Sequence, residues 1–247
     1  MKYFLFILLS LATFLSAKEV VGSVTLVDGN VKVKSDGSIR KQKVTVDFTI
    51  YSGDLISSSK DSHVKLKLVD DSVLILDELS TLHFESYKDT KQLAGKVLYK
   101  ITSRDAKNSL HVTTPFAVIG IKGTTFIVNA IEDEESVSLK EGLVGIESIN
   151  AKFELYRKKI DEEFNKFKTD QDKALKKRTE QQLSDFEKFK LGITDDKEEK
   201  ITPIITKEFD LQAGNSVRFN GNKVKEKSFD ASEENSFAYF ESLFNQD

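Results

Sequence analysis

From Val20 to about Ile149, apolar and polar residues alternate with a period of two. Val24 and Leu26 lead to Asp28-Gly29, and Val31 and Val33 follow with Lys32 and Lys34 on the opposite face. Val64, Leu66 and Leu68 alternate with Lys65 and Lys67, and Leu74 and Leu76 come after a turn at Asp70-Asp71-Ser72. Val97, Tyr99 and Ile101 repeat the pattern, as do Phe126, Val128 and Ala130. Turn residues recur every roughly 8–12 positions, the spacing of short half-buried strands in a sandwich, barrel or solenoid. Connections long enough to be crossover helices are absent, so the fold class expected is mainly β.

At Asn150 the pattern changes. Residues 151–202 begin as a charged segment without Gly or Pro up to residue 190, and its apolar residues take helical spacing. Phe153, Tyr156, Ile160, Phe164 and Phe167 form one set; Leu175, Leu183, Phe186 and Phe189 form a second. A single 40-residue helix would run about 60 Å. The ten or so residues after it could return at most roughly 35 Å. A two-helix hairpin turning near Thr169-Asp170-Gln171-Asp172 would pair Phe153 with Phe189, Tyr156 with Phe186 and Ile160 with Leu183. The hairpin is therefore the expected form of this insertion, with one helix as the alternative. Period two returns over residues 203–228, with turns at Ala213-Gly214-Asn215 and Asn220-Gly221-Asn222. Residues 229–247 form an acidic tail in which Asp230 and Glu233 have capping-box spacing. Its Phe237, Phe240 and Phe244 are placed to close the open end of a solenoid.

The amino-terminal end changes the picture of where the chain works. Residues 1–17 open with Lys2, run apolar from Tyr3 to Leu15, and end in Ser16-Ala17 before Lys18-Glu19. That order is a secretory signal peptide, and the apolar run is shorter than the roughly 20 residues a spanning helix needs. Cleavage would leave no stable membrane anchor, so the mature chain is expected in the periplasm or at the cell surface. The chain has no cysteine, which removes disulfides, thiolate metal sites and a cysteine nucleophile. Net charge is −3, so no basic excess points to nucleic acid. Tryptophan is absent, which weakens a carbohydrate-stacking platform.

Candidate chemistry is sparse. His63, His83 and His111 each sit in strand-like sequence, with no metal-ligand spacing among them. The acidic run Glu132-Asp133-Glu134-Glu135 reads as a solvated loop between strands rather than a Ca²⁺ site. No nucleophile elbow or phosphate loop is present, and nothing selects a particular pair of carboxylates for glycoside hydrolysis. No catalytic residue, metal or cofactor is expected.

The stretch Thr113-Thr114-Pro115-Phe116-Ala117-Val118-Ile119-Gly120-Ile121-Lys122-Gly123-Thr124-Thr125-Phe126 resembles the central motif of the FecR domain family. Gly53-Asp54-Leu55-Ile56 resembles that family's G-D-x-I turn, and Asp70-Asp71-Ser72 a turn between two strands. Val137 to Gly142 resembles its V-x-V-x-E-G element, and Leu211 to Val217 its L-x-A-G-x-x-V close. The resemblance implies a β-solenoid-like periplasmic domain, residues 18–150 completed by 203–228, in a Gram-negative bacterium. It also implies kinship with transmembrane regulators that read an outer-membrane receptor and control a sigma factor. The motif residues Gly53, Asp54, Pro115, Gly120, Lys122, Gly123, Thr124 and Phe126 read as structural corners: glycines for positive φ or close approach, proline for a rigid turn.

Three functions stay open at this point. The first is a non-enzymatic module that binds or scaffolds another envelope protein, using the helical insertion as a docking arm or for self-association through its helices. The second is a sensor in FecR-type sigma-factor signalling. The third is a protein that binds or acts on envelope glycans.

Overall fold

The computed structural model describes residues 18–102, 109–121, 123–157 and 202–244. In chain order the strands are β1 (Val20–Asp28), β2 (Val31–Lys34), β3 (Gln42–Lys43), β4 (Thr49–Tyr51) and β5 (Leu55–Ser58). Then come β6 (His63–Leu68), β7 (Val73–Leu76), β8 (Thr81–Phe84), β9 (Asp89–Lys100) and β10 (Leu110–Thr113). They are followed by β11 (Val118–Ile121), β12 (Thr125–Ala130), β13 (Ser136–Glu141), β14 (Leu143–Glu147) and β15 (Phe153–Tyr156). The last are β16 (Ile204–Thr206), β17 (Glu208–Gln212), β18 (Asn215–Asn220) and β19 (Lys223–Ser228), and one helix, α1 (Ala231–Phe244), ends the described chain.

The strands hydrogen-bond into one continuous sheet folded into two layers. One layer runs β4-β1-β6-β7-β9-β12-β13-β18-β19-β15-β16. The other runs β3-β2-β5-β8-β9-β10-β11-β14-β17. β9 belongs to both. Its first half pairs with β8 and β10, and from Gly95 onward it pairs with β12 and β7. Gly95 sits at the crossing with φ +82, and a Cβ there would lie 2.4 Å from the Ser80 Cα. Only glycine lets the strand bend and pass so close.

Alternation determines what lies between the layers. Leu66, Leu74, Val97, Phe126, Val137 and Val217 from the first layer meet Val33, Ile56, Leu82, Val112, Ile119 and Leu211 from the second in a single core. The mainly β expectation holds. The pairings are antiparallel except β9–β10 and β15–β19, and tight turns such as Asp70-Asp71 between β6 and β7 and Asn220-Gly221 between β18 and β19 reverse the chain within a layer. The layers thus grow by hairpins, and these ladders do not support a solenoid description.

Two further expectations are corrected. The spacing of Phe153 and Tyr156 predicts the start of a helix, but they form β15, which pairs with β16 and β19. The strand wins because Phe153 and Leu155, two apart, are both buried, and the Phe153 ring packs edge-on to Phe209 at 5.7 Å. The other helix candidates, Ile160, Phe164, Phe167, Leu175, Leu183, Phe186 and Phe189, lie outside the described residues, as do residues 1–17 and Lys122. The tail does form a helix, with its capping box made: the Ser232 N–H donates to Asp230 Oδ1 at 2.8 Å and the Asp230 N–H to Glu233 Oε2 at 3.0 Å. It does not close an open end. Phe237, Phe240 and Leu243 pack on Ile75, Leu98 and Ile127, the outward residues in the middle of the first layer. Three adjacent outward apolar residues on β7, β9 and β12 leave a patch that would otherwise face water, and the helix covers it.

Candidate functional site

The central motif runs from the β10–β11 turn along β11 to the β11–β12 corner. Thr114, almost fully buried, closes the β10–β11 turn: its N–H donates to the Ala117 carbonyl at 2.9 Å, and its hydroxyl accepts from the Ala117 N–H at 2.9 Å. Pro115 lies exposed at that turn, and the Phe116 ring packs tilted against Phe219, centroids 4.6 Å apart. Gly123 has φ +65, and the Thr124 carbonyl accepts from the Ile101 N–H at 2.9 Å. Facing them, Gly142 has φ +92, and a Cβ there would lie 2.6 Å from Thr124 Cγ2 and 2.7 Å from the Gly123 carbonyl oxygen. Gly123 and Gly142 are therefore corner glycines, as the sequence led one to expect of Gly123.

Gly120 is different. It lies in a regular strand without positive φ, and a Cβ on it would find nothing nearer than 4.0 Å. The close-approach reading of Gly120 is corrected on that ground: the fold leaves room for a side chain. It pairs with His111 on one side and Gly145 on the other, and Gly145 pairs with Asp210. The two bare positions floor an open groove of about 390 Å³ on the outer face of the second layer, bordered by His111, Glu147, Glu208 and Asp210.

Phe126 is fully buried and lies flat against Tyr99, ring centroids 4.8 Å apart. The Tyr99 hydroxyl donates to Gln92 Oε1 at 2.9 Å, and Gln92 Nε2 donates to the carbonyls of Gly95 at 2.9 Å and Val128 at 3.1 Å. Burial pushes the Tyr99 phenol well above its ordinary pKa. This polar network fastens the point where β9 changes layers. Sequence reading missed Gln92, Tyr99's partner and Gly95; an isolated glycine inside the alternating run Leu93 to Lys96 was the available signal.

The other turn motif is equally structural. Asp54, buried, accepts from the Tyr51 N–H at 3.0 Å and the Asp36 N–H at 3.4 Å. Gly53 has φ +87, and a Cβ there would meet the Asp36 Cβ at 2.6 Å.

The residues with candidate chemistry do not converge. His63 is on β6 in the first layer, with its Nε2 3.8 Å from Asp28. His83 and His111 are on the outer face of the second, His111 Nδ1 lying 3.5 Å from Asp89. Among the described residues no group of three or more His, Asp or Glu is placed to hold a metal ion. Glu132-Asp133-Glu134-Glu135 forms the β12–β13 turn, its first three residues exposed and Asp133 at φ +66.

Comparison with known proteins adds a family. Residues 54–145, from the buried aspartate of the first turn to the second bare glycine of the groove, match the family model described as FecR protein. The chain carries a FecR domain. The structure extends that FecR domain in both directions: β1 to β4 before it and β15 to β19 after it share its layers and core. Two crystal structures of a candidate anti-sigma factor from Parabacteroides distasonis resemble the chain, with 13% and 14% identity and a TM-score of 0.46 each. Each match covers 74% of this chain and 64% or 63% of the other, so the chain spans less than two thirds of those proteins' length. A search of curated proteins gives no match.

Proposed function

We propose that this is a non-enzymatic, exported FecR-domain protein that works by binding, as a sensor or relay in FecR-type sigma-factor signalling. The observation that carries the reading is the FecR match over residues 54–145. The geometry supports it: each motif residue described, apart from Gly120, builds a corner or the core, and the domain's open chemistry lies on its outer surface. Recognition across a rigid β surface is what such a framework offers, since the loops and faces are held by buried layers. The compartment follows from residues 1–17 and is part of the proposal.

A second reading, envelope scaffolding through the insertion, is favoured by one feature. Leu155 of β15 is directly opposite Ile204 of β16, so residues 158–201 leave and rejoin the FecR domain at the same place. A segment with both ends fixed side by side on a sheet edge is well placed to serve as an arm that docks another envelope protein.

Deleting the gene and measuring all transcripts tests the first reading. Sensor function predicts a change confined to genes under one alternative sigma factor. An unchanged transcript profile under envelope stress and nutrient shifts would leave only the scaffold.

A further inference from the structure

The two outer faces of the domain are treated differently. Helix α1 covers the first layer, whereas among the described residues nothing packs on the second. Direct cross-strand partners share a face, and one row can be followed across eight strands of that uncovered layer. It runs from Lys34 through Leu55, His83 and Lys91, then through Thr113 and Val118, to Glu147 and Glu208. At about 4.8 Å per strand the row is about 34 Å long.

Its ends carry opposite charge. At one end Lys32 is directly opposite Lys43, with Lys34 beside them. At the other, Glu147 is directly opposite Glu208, and Asp210 follows on the same face. Like charges set directly opposite one another weaken a strand pair. The only ion pair that offsets either end among the described residues is Lys207 with Glu147, at 3.3 Å. Beside the acidic end, Gly120 and Gly145 leave a trough that the fold does not require, since a Cβ at either would lie 3.7 Å or more from its nearest neighbour. Glycine inside a strand costs stability and often marks a place where another backbone approaches.

We propose that this face binds a second copy of the chain, the two faces packed antiparallel about a twofold axis near the β9–β10 pairing. The twofold sets the lysine end of each protomer against the glutamate end of its partner, so both like-charge clusters are relieved at once by a single isologous contact. Two packed sheets lie about 10 Å apart, and the bare trough admits a long side chain from the opposing face. The surface is polar and of modest size, so the dimer is a weak one, held by charge and weakened by salt.

Sedimentation of the purified full chain tests this, beside two double variants, Lys32→Glu with Lys34→Glu and Glu147→Lys with Glu208→Lys. All four positions are exposed, and circular dichroism checks that each variant folds. The expected result is a reversible wild-type dimer in low salt whose dissociation constant rises at least about tenfold in high salt. Each double variant is then monomeric, and mixing the two restores a heterodimer, because one face now carries carboxylates at both ends and the other carries lysines at both ends. A wild-type chain that stays monomeric in low salt overturns the proposal. So does a dimer that survives both reversals.

Discussion

Replacing Phe240 with alanine should detach the C-terminal helix and leave the β layers intact. Phe240 is fully buried, and α1 rests on the sheet through three buried side chains, Phe237, Phe240 and Leu243. These form a cluster separate from the main core, with Ile75, Leu98 and Ile127 as their floor. Truncating a buried phenylalanine to alanine costs about 3–5 kcal/mol, from lost transfer energy and the cavity left behind. The remaining ties are at the surface. Tyr239 donates to Asp77 Oδ1 at 2.9 Å, Lys65 Nζ to the Phe244 carbonyl at 3.1 Å, and Lys140 pairs with Glu241. Exposed contacts of that kind contribute at most about 1 kcal/mol each. Local opening of the helix should therefore become easier by about 10²-fold to 4 × 10³-fold, at tenfold per 1.4 kcal/mol. Hydrogen exchange reads this directly: amides of residues 235–244 should lose that much protection in Phe240→Ala, while amides of β12 and β18 keep theirs. Equal loss across all strands would refute the reasoning, because it would make the helix and the layers one cooperative unit. A loss under tenfold at the helix would refute it as well.

Two glycines should respond in opposite ways to alanine. Gly142→Ala, with φ +92 and a Cβ 2.6 Å from Thr124 Cγ2, should lower stability by more than about 1 kcal/mol in urea unfolding; Gly120→Ala, with open space, should be neutral or stabilise by about 0.5–1 kcal/mol. Tyr99→Phe should cost about 1–3 kcal/mol, since it strands the buried Gln92 Oε1. In the wild type, two of the six tyrosines should titrate late in an absorbance titration, Tyr239 pushed up to about 12 by burial and its hydrogen bond to Asp77 and Tyr99 held longer by full burial, and Tyr99→Phe should remove the later of the two. The Asp230 carboxyl is held well below the usual carboxylate range by its hydrogen bonds with Glu233 and Lys227 and the Ser232 N–H. A depressed folded pKa gives a contribution present above the unfolded pKa and lost only as pH falls through the folded one. Protection of the first turn of α1 should therefore persist below about pH 4, where an ordinary aspartate is half protonated, and Asp230→Ala should remove that persistence.

Local pattern made much of this legible. Alternation placed Val64, Leu66, Leu74, Val97, Phe126 and Val128 inside, and all are buried. Asp230 and Glu233, three apart, announced a capping box that the helix makes. What failed shares one physical cause: partners distant in sequence. Phe153 and Tyr156 are three apart and read as helical, but Phe209 and Phe219, more than fifty residues on, hold Phe153 in a strand. The helix's resting place could not be read from its own residues, because Ile75, Leu98 and Ile127 become one patch only when β7, β9 and β12 are neighbours. Gly120 looked like a corner because Gly123 is one; only the register with His111 and Gly145 separates them. The charged row from Lys34 to Glu208 was beyond local reading for the same reason.

We propose that the FecR domain acts by binding a signalling partner. In-cell crosslinking of the full chain and of a variant lacking residues 158–201, with captured envelope proteins identified by mass spectrometry, tests it most directly. The account predicts that both forms capture the same membrane-spanning regulator or outer-membrane receptor, because the β layers do the reading. Capture of a partner by the full chain alone, or of none by either form, would contradict it.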